Sequence, residues 1–526
     1  MTHIAHSPQT SPTHQTSENI FNWRYWFGEV DTRWLDVFRI LFGLLLLKDA
    51  LYHLPLARIF YSDQGIIPRW ILFDGLVRDP RFSLMDAIGE PWLATLFFII
   101  WAGVLIGLVL GYRTRTMAVL NFLFILAVHE RNGYILTGAD TLMRVMSFWL
   151  MFAPIGYHYA LDKLRWRNPE AIQPAGFALP MRLLQWQLVI VYISTAYLKT
   201  ISDIWMAGEA LHYVTQIETF ILPAGVWLRG LSAQALQMLS YGVLMIEIVI
   251  PILLLIPLWW RGARVLAFVL ALMLHGGIAV TLSIQDFSIL MLICYVLFFD
   301  PAWLVGLEDR IRHTPAWARL KAKLEQIISP TADTPVPSSY HQRLMLSAVL
   351  LTLFGLVLLW NIEVAGDYTG EGIRYPAPIE QMWQPARNIV WYSGLWQYWD
   401  MFSPTPIQYD GWLVVEGQFE NGISYDLFTE QALDDERPTR WYWGPAMRWE
   451  KFEENVYRWR YDAILRGWGS YYCRTINRDR MQGTRLATLQ VVMIVRQFHA
   501  PHESPQAYQR EQLWYHWCYD EYAPQS

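Results

Sequence analysis

The sequence predicts a polytopic α-helical membrane protein with about nine transmembrane helices, followed by a C-terminal α+β domain outside the cytoplasm. Of the 526 residues, 54% are hydrophobic and only 17% are charged, whereas soluble chains carry about 25% charged residues. Several apolar runs reach the roughly 20 residues that cross a bilayer, and residues 91–112 contain no charged residue at all. Strand and turn signals after residue 363 are typical of a small α+β domain, which we expect to pack on the membrane surface.

Nine segments are apolar enough to be interpreted as spans. The polar residues 1–20 before them lack an apolar core behind a basic start, so we expect a disordered tail and not a cleaved signal peptide. Residues 21–303 form the main predicted transmembrane domain. The predicted spans are residues 35–54, 91–112, 116–131, 140–158, 183–199, 235–259, 264–283, 286–303 and 344–362.

Basic residues set the predicted orientation in the cell membrane. With the N-terminus in the cytoplasm, sixteen Lys and Arg residues fall in inside segments and seven in outside loops, in agreement with the positive-inside rule. Residues 304–343 then form a cytoplasmic linker before the last transmembrane helix at 344–362. An odd number of spans places residues 363–526 outside the cytoplasm. The lipid bilayer is the expected partner, and a net charge of −5 gives no indication of nucleic acid.

The predicted C-terminal domain contains twelve tryptophans and a β-hairpin signal. Asn421-Gly422 lies between two strand-like runs and supplies the positive φ of a tight turn. Residues 485–498 predict a third strand, and residues 448–468 have the spacing of a helix. We interpret the aromatic residues as core and interfacial anchors, with a binding surface as the alternative.

Three cysteines bear on the location of this domain. Cys294 lies in a predicted span, while Cys473 and Cys518 lie in the C-terminal domain. The latter two would pair if the domain faces an oxidising compartment. Two unpaired thiols are the alternative.

Polar residues crowd the predicted external mouth after the third span. Charges at membrane depth face a partner or a wet cavity and are candidate functional residues. Asp140 and Arg144 have the i, i+4 spacing of an ion pair on one helix face, and Asp140 also suits a helix cap. We interpret Asn132, Asp140 and Arg144 as binding residues of a wet vestibule, with structural roles as the alternative.

Two further ionisable residues lie alone in apolar spans. Glu247 must be protonated or paired there and is a candidate binding residue. His275, next to two glycines, is a candidate catalytic residue, with a hydrogen-bonded structural role as the alternative. The sequence contains no HxxxH, GxSxG, P-loop or GxGxxG motif, so we predict no metal site, and serine hydrolysis and nucleotide-driven transport lose support.

Lys199 ends the apolar run "YISTAYLK" and is the other candidate catalytic residue. A desolvated lysine loses its proton more readily and can act as a general base. The alternative is snorkelling, in which the stem stays in lipid and the ammonium reaches the headgroups.

Four segments between residues 25 and 305 resemble the HTTM (horizontally transferred transmembrane) domain family, whose membrane domain is shared with vitamin K-dependent γ-glutamyl carboxylase. They read "DVFRILFGLLLLKDALYHLPLARIFYSDQGIIPR" (36–69), "RNGYILTGADTLMRVMSFWLMFAPIG" (131–156), "YLKTISDIWMAGEAL" (197–211) and "HGGIAVTLSIQDFSILMLICYVLFFDPAW" (275–303). The segment "YWDMFSPTPIQYDGWLVVEG" (398–417) also resembles the region that follows this domain in bacterial relatives.

The resemblance implies a reduced quinone as cofactor or substrate and a lysine at the membrane mouth. In the carboxylase, an active-site lysine is proposed to deprotonate reduced vitamin K. The resemblance gives Lys199 this role, as base or anion clamp. The carboxylase has a second lysine where this chain has Thr200, and a histidine where it has Gly133. The resemblance therefore implies the fold and the mouth lysine, but not glutamate carboxylation.

Two functions follow from these observations. The first is a membrane enzyme that acts on a quinol or another lipid-like substrate at the external face. The second is a non-catalytic membrane protein that binds or helps to mature an exported peptide or protein partner. A transporter has less support, because the sequence shows no repeated halves with broken helices at matching positions.

Overall fold

A computed structural model gives the structure of most of the chain. It describes residues 19–73, 81, 83–167, 175–328, 330, 339–370, 377–438, 445–498, 501 and 506–522. The predicted disordered tail, apart from residues 19 and 20, lies outside these residues. The helices of the first part are α1 (Trp23–Phe27), α2 (Arg33–His53), α3 (Ala57–Tyr61), α4 (Arg69–Ile71), α5 (Pro91–Leu110), α6 (Thr114–Arg131), α7 (Gly138–Leu150), α8 (Asp162–Arg165) and α9 (Ala178–Thr200).

The chain continues in helices up to residue 368. They are α10 (Asp203–Met206), α11 (Ala210–Val214), α12 (Pro223–Arg229), α13 (Ala233–Leu255), α14 (Trp260–Thr281), α15 (Gln285–Cys294), α16 (Pro301–Arg312), α17 (Pro315–Ile327) and α18 (Tyr340–Tyr368). Short 3₁₀ turns lie at Leu54–Leu56, Leu84–Ala87, Gly133–Ile135 and Tyr295–Phe298. Strands β1 (Glu29–Asp31) and β2 (Ala175–Phe177) form a small antiparallel pair.

Five helical stretches of the described chain are long and apolar enough to cross a membrane: Arg33–Tyr61, α5, α13, α14 and α18. A sixth is added if α15 and α16, with the turn between them, make one bent span. Helices α6, α7 and α9 lie at the third to fifth predicted spans but do not meet these limits of length and apolarity. The expected number of nine spans is therefore not confirmed.

Two predicted spans differ from the helices that form. The segment predicted as 140–158 is helical only to Leu150. The segment predicted as 286–303 is broken, because α15 with its turn and α16 meet at 90°. Asp300 caps the new helix by accepting a hydrogen bond from the Ala302 amide at 3.0 Å, and Pro301 takes the first helical position, where its missing N–H costs nothing.

Helix α17 and most of α16 lie within the predicted linker at 304–343, and α16 begins in the predicted span before it. Several apolar side chains of α16 are exposed, among them Trp303 and Leu307, and Arg319 and Lys321 are exposed on α17. The linker is thus partly helical. Its Pro/Ser/Thr-rich end, residues 331–338, lies outside the described residues.

The C-terminal part contains a four-stranded antiparallel sheet and three helices. The helices are α19 (Ala377–Tyr392), α20 (Pro445–Trp459) and α21 (Asp462–Asn477), and the strands are β3 (Tyr409–Phe419), β4 (Ser424–Asp426), β5 (Leu486–Gln497) and β6 (Gln509–Trp517). The strand order is β4-β3-β5-β6, and a last 3₁₀ turn covers Asp520–Tyr522. The predicted hairpin and third strand are confirmed, with Gly422 at φ +83°. Strand β6 was not predicted, since its polar and aromatic residues lack a clear alternation.

The C-terminal part packs directly on the membrane helices. The rings of Phe60, on α3, and Trp449, on α20, have centroids 4.7 Å apart. A Cβ atom at Gly467 of α21 would lie 2.4 Å from the carbonyl oxygen of Ile66, so only a glycine allows this approach. Cys473 and Cys518 form a disulfide within this part, and Cys294 is free and buried.

Candidate functional site

Lys199 lies on the last turn of α9 and forms an ion pair with Glu247 of α13. Its Nζ is 2.6 Å from Glu247 Oε2 and 4.9 Å from the ring centroid of Trp205. The Lys199 residue is only 4% exposed, so its ammonium does not reach outward as the snorkelling alternative requires. Glu247 is paired, which is one of the two states that the sequence allowed.

His275 of α14 ends a row of three polar rings. The Tyr295 hydroxyl donates to the Tyr192 hydroxyl at 3.0 Å, which leaves the Tyr192 proton for His275 Nε2 at 2.7 Å. His275 is buried, and its Nδ1 has no hydrogen-bond partner among the described residues. Tyr192 and Lys199 are seven residues apart on α9, about two turns, and therefore lie on one helix face.

Lys199, Glu247, His275, Tyr192, Tyr295 and Trp205 form a group that we call the Lys199 cluster. The three ionisable members were singled out in the sequence because each lies alone in an apolar span. The tyrosines and Trp205 were not, since aromatic residues are common throughout this chain. The hydrogen bonds of the two tyrosines depend on how α9 and α14 pack with the 3₁₀ turn Tyr295–Phe298, which no local spacing shows. The Trp205 indole donates to the Phe402 carbonyl of the C-terminal part at 2.7 Å.

A second polar group joins the two parts of the molecule through Arg448 of α20. Its Nη1 is 2.6 Å from Asp140 Oδ2, and its Nη2 is 2.6 Å from Asp49 Oδ1. It also donates to the Ile135 carbonyl at 2.9 Å. Burial alone would lower the pKa of the guanidinium, but the charges of Asp140 and Asp49 overcome this and raise it well above its ordinary value.

Two buried histidines flank these carboxylates. His53 Nδ1 donates to the backbone carbonyl of Asp49 at 2.9 Å. His129 Nε2 lies 3.7 Å from Asp140 Oδ1. Asp49, His53, His129, Asp140 and Arg448 form what we call the Arg448 cluster. Arg448 was missed in the sequence, where nothing separates it from other arginines of the same region.

Asp140 caps α7, as the sequence allowed, but the expected ion pair with Arg144 is wrong. Its Oδ2 accepts from the Thr137 amide at 2.6 Å and from the Thr137 hydroxyl at 2.7 Å, while Arg448 takes the remaining positions. Arg144 donates instead to the Gly394 and Trp396 carbonyls at 2.9 and 2.7 Å. Its guanidinium also lies 3.7 Å from the Trp396 ring centroid.

Asn132 shapes the turn between α6 and α7. Its side-chain oxygen accepts from the Tyr134 amide at 3.0 Å, and its nitrogen donates to the Phe60 carbonyl at 3.3 Å. The predicted binding residues thus divide into two groups. Glu247 lies with the candidate catalytic residues, whereas Asn132, Asp140 and Arg144 lie where the C-terminal part meets the membrane helices.

A cleft lies between residues 217–220 and the start of β3. Tyr409 and Trp412 line it together with the carboxylates of Asp410 and Glu454. Trp412 is buried, and its indole nitrogen has no partner in the part of the chain that the structure describes. No group of three or more His, Cys, Asp or Glu residues within the described ranges is arranged to hold a metal ion.

Comparison with known proteins gives one match. The family model of the HTTM domain matches residues 27–303, which contain every residue of the Lys199 cluster. No curated protein and no solved structure matches the chain.

Proposed function

The chain belongs to the HTTM domain family, and from this membership we propose that it is an integral membrane enzyme that acts on a reduced quinone or a similar lipid-like substrate. The Lys199 cluster is its proposed site. The single observation that supports this most is the buried ion pair between Lys199 and Glu247 in an otherwise apolar helix packing.

The ion pair combines the two groups that ionisation of a weakly acidic hydroxyl requires. The Glu247 carboxylate accepts the proton of the substrate hydroxyl. The Lys199 ammonium then pairs with the oxyanion, and a cation held in a dry site stabilises developing negative charge far better than one in water. In this assignment Lys199 binds the oxyanion, and Glu247 is the general base.

His275 supplies a second polar contact for the substrate. Its Nδ1 has no partner among the described residues, and a buried polar atom without a hydrogen bond costs about 1–3 kcal/mol. A second oxygen of the substrate would satisfy it. The row Tyr295, Tyr192 and His275 can then pass a proton along its hydrogen bonds. Apolar walls with a few polar groups fit a quinone ring, whose two oxygens lie at opposite ends.

The orientation expected from the sequence forms part of the proposal. We place the C-terminal domain outside the cytoplasm and count α6, α7 and α9 among nine spans. The excess of basic residues in the opposite loops supports this placement. The disulfide between Cys473 and Cys518 also supports it, because such bonds persist in oxidising compartments.

Oxidation of a reduced naphthoquinone by dissolved dioxygen, with the purified protein as catalyst, tests the proposed reaction. The quinol loses two protons and two electrons, and dioxygen is the electron acceptor; ¹⁴CO₂ uptake into glutamate peptides is followed in parallel. We expect turnover by the wild type and a loss of at least about 100-fold in Glu247→Gln, the range of one general acid–base group. A loss of about the same size is expected in Lys199→Ala, the range of one group that stabilises an oxyanion. Lys321→Ala, on exposed α17, is the matched control and is expected to keep full activity.

The double variant Lys199→Met/Glu247→Met separates catalysis from folding. Replacing both members of a buried ion pair with apolar residues is often neutral or stabilising, so this variant is expected to fold and to be inactive. A double variant that turns over quinol, or a wild-type protein that neither binds nor oxidises it, would refute the enzyme assignment.

The cleft at Trp412 favours a second candidate, the capture or maturation of an exported peptide. Trp412 lines this cleft. Trp399, another tryptophan of the C-terminal part, is buried in the core and donates to Gln397 Oε1 at 2.9 Å, so it does not offer a binding surface. In that case Trp412→Ala removes peptide binding and Lys199→Ala does not, the opposite of the pattern expected for the enzyme.

A further inference from the structure

Helix α16 lies across one end of the helices that are long enough to cross a membrane. Its residue Glu308 pairs with Arg33, the first residue of α2, at 3.2 Å. The residue that caps it, Asp300, pairs with Arg261, the second residue of α14, at 2.6 Å. Both α2 and α14 belong to stretches with the length and apolarity of a span. Since two ion pairs tie α16 to the same end of two spans, it lies at one membrane surface.

The direction of the chain before α16 shows that α16 runs along this surface. Helix α14 ends at Thr281, yet Asp300 is back at the first turn of α14, beside Arg261. Helix α15 and the turn after it therefore return along α14, through the thickness of the helix packing. Because they meet α16 at 90°, α16 leaves the packing sideways and lies nearly parallel to the membrane surface.

Large apolar side chains form an exposed strip along α16. Trp303, Leu307 and Ile311 follow one another at intervals of four residues and therefore lie on one side of the helix. They are 44–51% exposed, whereas Leu304 and Glu308, each one residue further along, are buried against the protein. A helix with one side on the protein and an uncovered apolar strip beside it is typical of a helix that lies in the membrane interface.

The connection between α13 and α14 adds apolar surface at the same end of the molecule. Leu258 and Trp259 are 75% and 73% exposed, and they come directly before α14, whose Arg261 pairs with the cap of α16. Tryptophan is enriched where membrane proteins meet the headgroup region. Two separate segments thus expose large apolar side chains at one level. A lipid surface covers both, because it extends around the whole protein.

Basic side chains border the strip on α16. Arg310 is exposed and directly precedes Ile311. Arg312 follows, with its Nη2 at 3.1 Å from Glu308 Oε2. The stem of an arginine can lie along apolar surface while its guanidinium reaches the headgroups, and guanidinium matches the geometry of a phosphate. In anionic phospholipids no cationic group offsets the charge of that phosphate, so these lipids are the better partners for Arg310.

We propose that α16 is an interfacial helix that binds anionic phospholipids. Trp303, Leu307 and Ile311 insert at the boundary between the acyl chains and the headgroups, and Arg310 binds a headgroup phosphate. The segment expected from the sequence to be a linker in the cytoplasm thus begins as a membrane-bound helix. The proposal rests neither on quinol oxidation at the Lys199 cluster nor on which leaflet faces the cytoplasm.

Fluorescence of the labelled full-length protein in phosphatidylcholine vesicles tests the insertion of α16. In a Cys294→Ala background, Leu307→Cys carries an environment-sensitive dye, and the background without a new cysteine measures residual labelling. Brominated acyl chains quench a dye in lipid, and iodide quenches a dye in water. The dye at position 307 is expected to be quenched several-fold more by brominated lipid than by iodide. Asp309→Cys, at an exposed position nearly opposite on the helix, is the matched control and is expected to show the reverse.

The preference for anionic headgroups is tested by replacing half of the phosphatidylcholine with phosphatidylglycerol that has the same brominated chains. Quenching of the dye at position 307 is expected to rise, and to rise less at high salt, which screens charges. Leu307→Cys/Arg310→Gln is expected to lose most of the rise.

Three outcomes would overturn the proposal. Quenching at position 307 mainly by iodide would show that α16 lies in water. Protection from both quenchers would show that protein, such as a second copy of the chain, covers the strip. Equal quenching with and without phosphatidylglycerol, or an equal rise in Arg310→Gln, would show that α16 does not bind anionic headgroups through Arg310.

Discussion

At the scale of single residues, Arg448 connects the C-terminal domain to the membrane helices. It contacts Asp49 and Asp140, which lie 399 and 308 residues away in the sequence. All three side chains are buried. Each carboxylate would be costly in this position without a partner, so the helices depend on the C-terminal domain for the charge that neutralises them.

We expect Arg448→Met to be among the most destabilising single changes in the molecule. Breaking a buried ion pair by removing one partner costs about 3–5 kcal/mol, because two carboxylates remain buried without their cation. Thermal unfolding in detergent is the measurement, and Arg458→Met, at an exposed position of the same helix, is the control. Equal unfolding temperatures for the two variants would show that Asp49 and Asp140 do not need Arg448, because water already solvates their carboxylates.

Residue-level reasoning from sequence found isolated charges and missed their distant partners. Lys199, Glu247 and His275 were evident because an ionisable residue in an apolar run is unusual. The cap formed by Asp140 was also predictable, because a helix cap depends only on residues close together in the sequence. The expected pairing with Arg144 failed because Arg448 competes for the same carboxylate from a different part of the chain.

At the scale of elements, α2 and α5 pack closely at a glycine. A Cβ atom added to Gly43 would lie 2.8 Å from Cγ2 of Val109. Small residues let membrane helices approach each other in this way. Gly103 offers a contrast on α5, since a Cβ there would meet nothing within 4 Å.

We therefore predict that Gly43→Leu destabilises the protein by about 1–3 kcal/mol, the usual cost of overpacking. Gly103→Leu is expected to leave stability unchanged or to raise it slightly, because leucine has the higher helix propensity. The free energy of unfolding of each variant, obtained by denaturant titration in mixed micelles, checks this. A comparable loss in both variants would mean that the α2–α5 contact is looser than described.

Sequence patterns predicted the apolar helices more securely than the polar ones. Helices such as α5 and α14 are apolar around most of their surface and need no partner to be detected. Helix α6 instead buries Asn121 against α5 and α7, where it bonds to Trp101 and Ser147. Helix α9 buries Gln187, which donates to Gln397 Oε1 of the C-terminal part at 2.6 Å. Such pairs lower the apparent apolarity of a helix whose polar groups are satisfied within the protein.

At the scale of the whole molecule, the membrane helices and the C-terminal sheet share one continuous core. The sequence predicted the two parts and their order, together with the hairpin and helix of the second part. It predicted that the second part packs on the membrane surface, but not which residues meet there, because that depends on contacts such as Phe60 with Trp449 between residues far apart in the chain. The interface between the parts is therefore the least predictable region.

The three cysteines allow the proposed orientation to be tested by counting thiols. Cys473 and Cys518 form a disulfide and Cys294 is free. If the C-terminal domain faces an oxidising compartment, denatured protein trapped with a thiol reagent directly from membranes takes up one equivalent before reduction. It takes up three after reduction, as intact mass shows. The double variant Cys473→Ser/Cys518→Ser is expected to take up one equivalent in both conditions.

A domain in the cytoplasm would give a different count, because reducing systems there keep thiols free. The wild type would then take up three equivalents before reduction, although the same two sulfur atoms lie within bonding distance. That result would also place Lys199 and Arg448 near the cytoplasmic side, since both clusters contact the C-terminal part, through Trp205 and Arg448 respectively. Thiol counting therefore tests the location of the domain independently of whether any reaction is found.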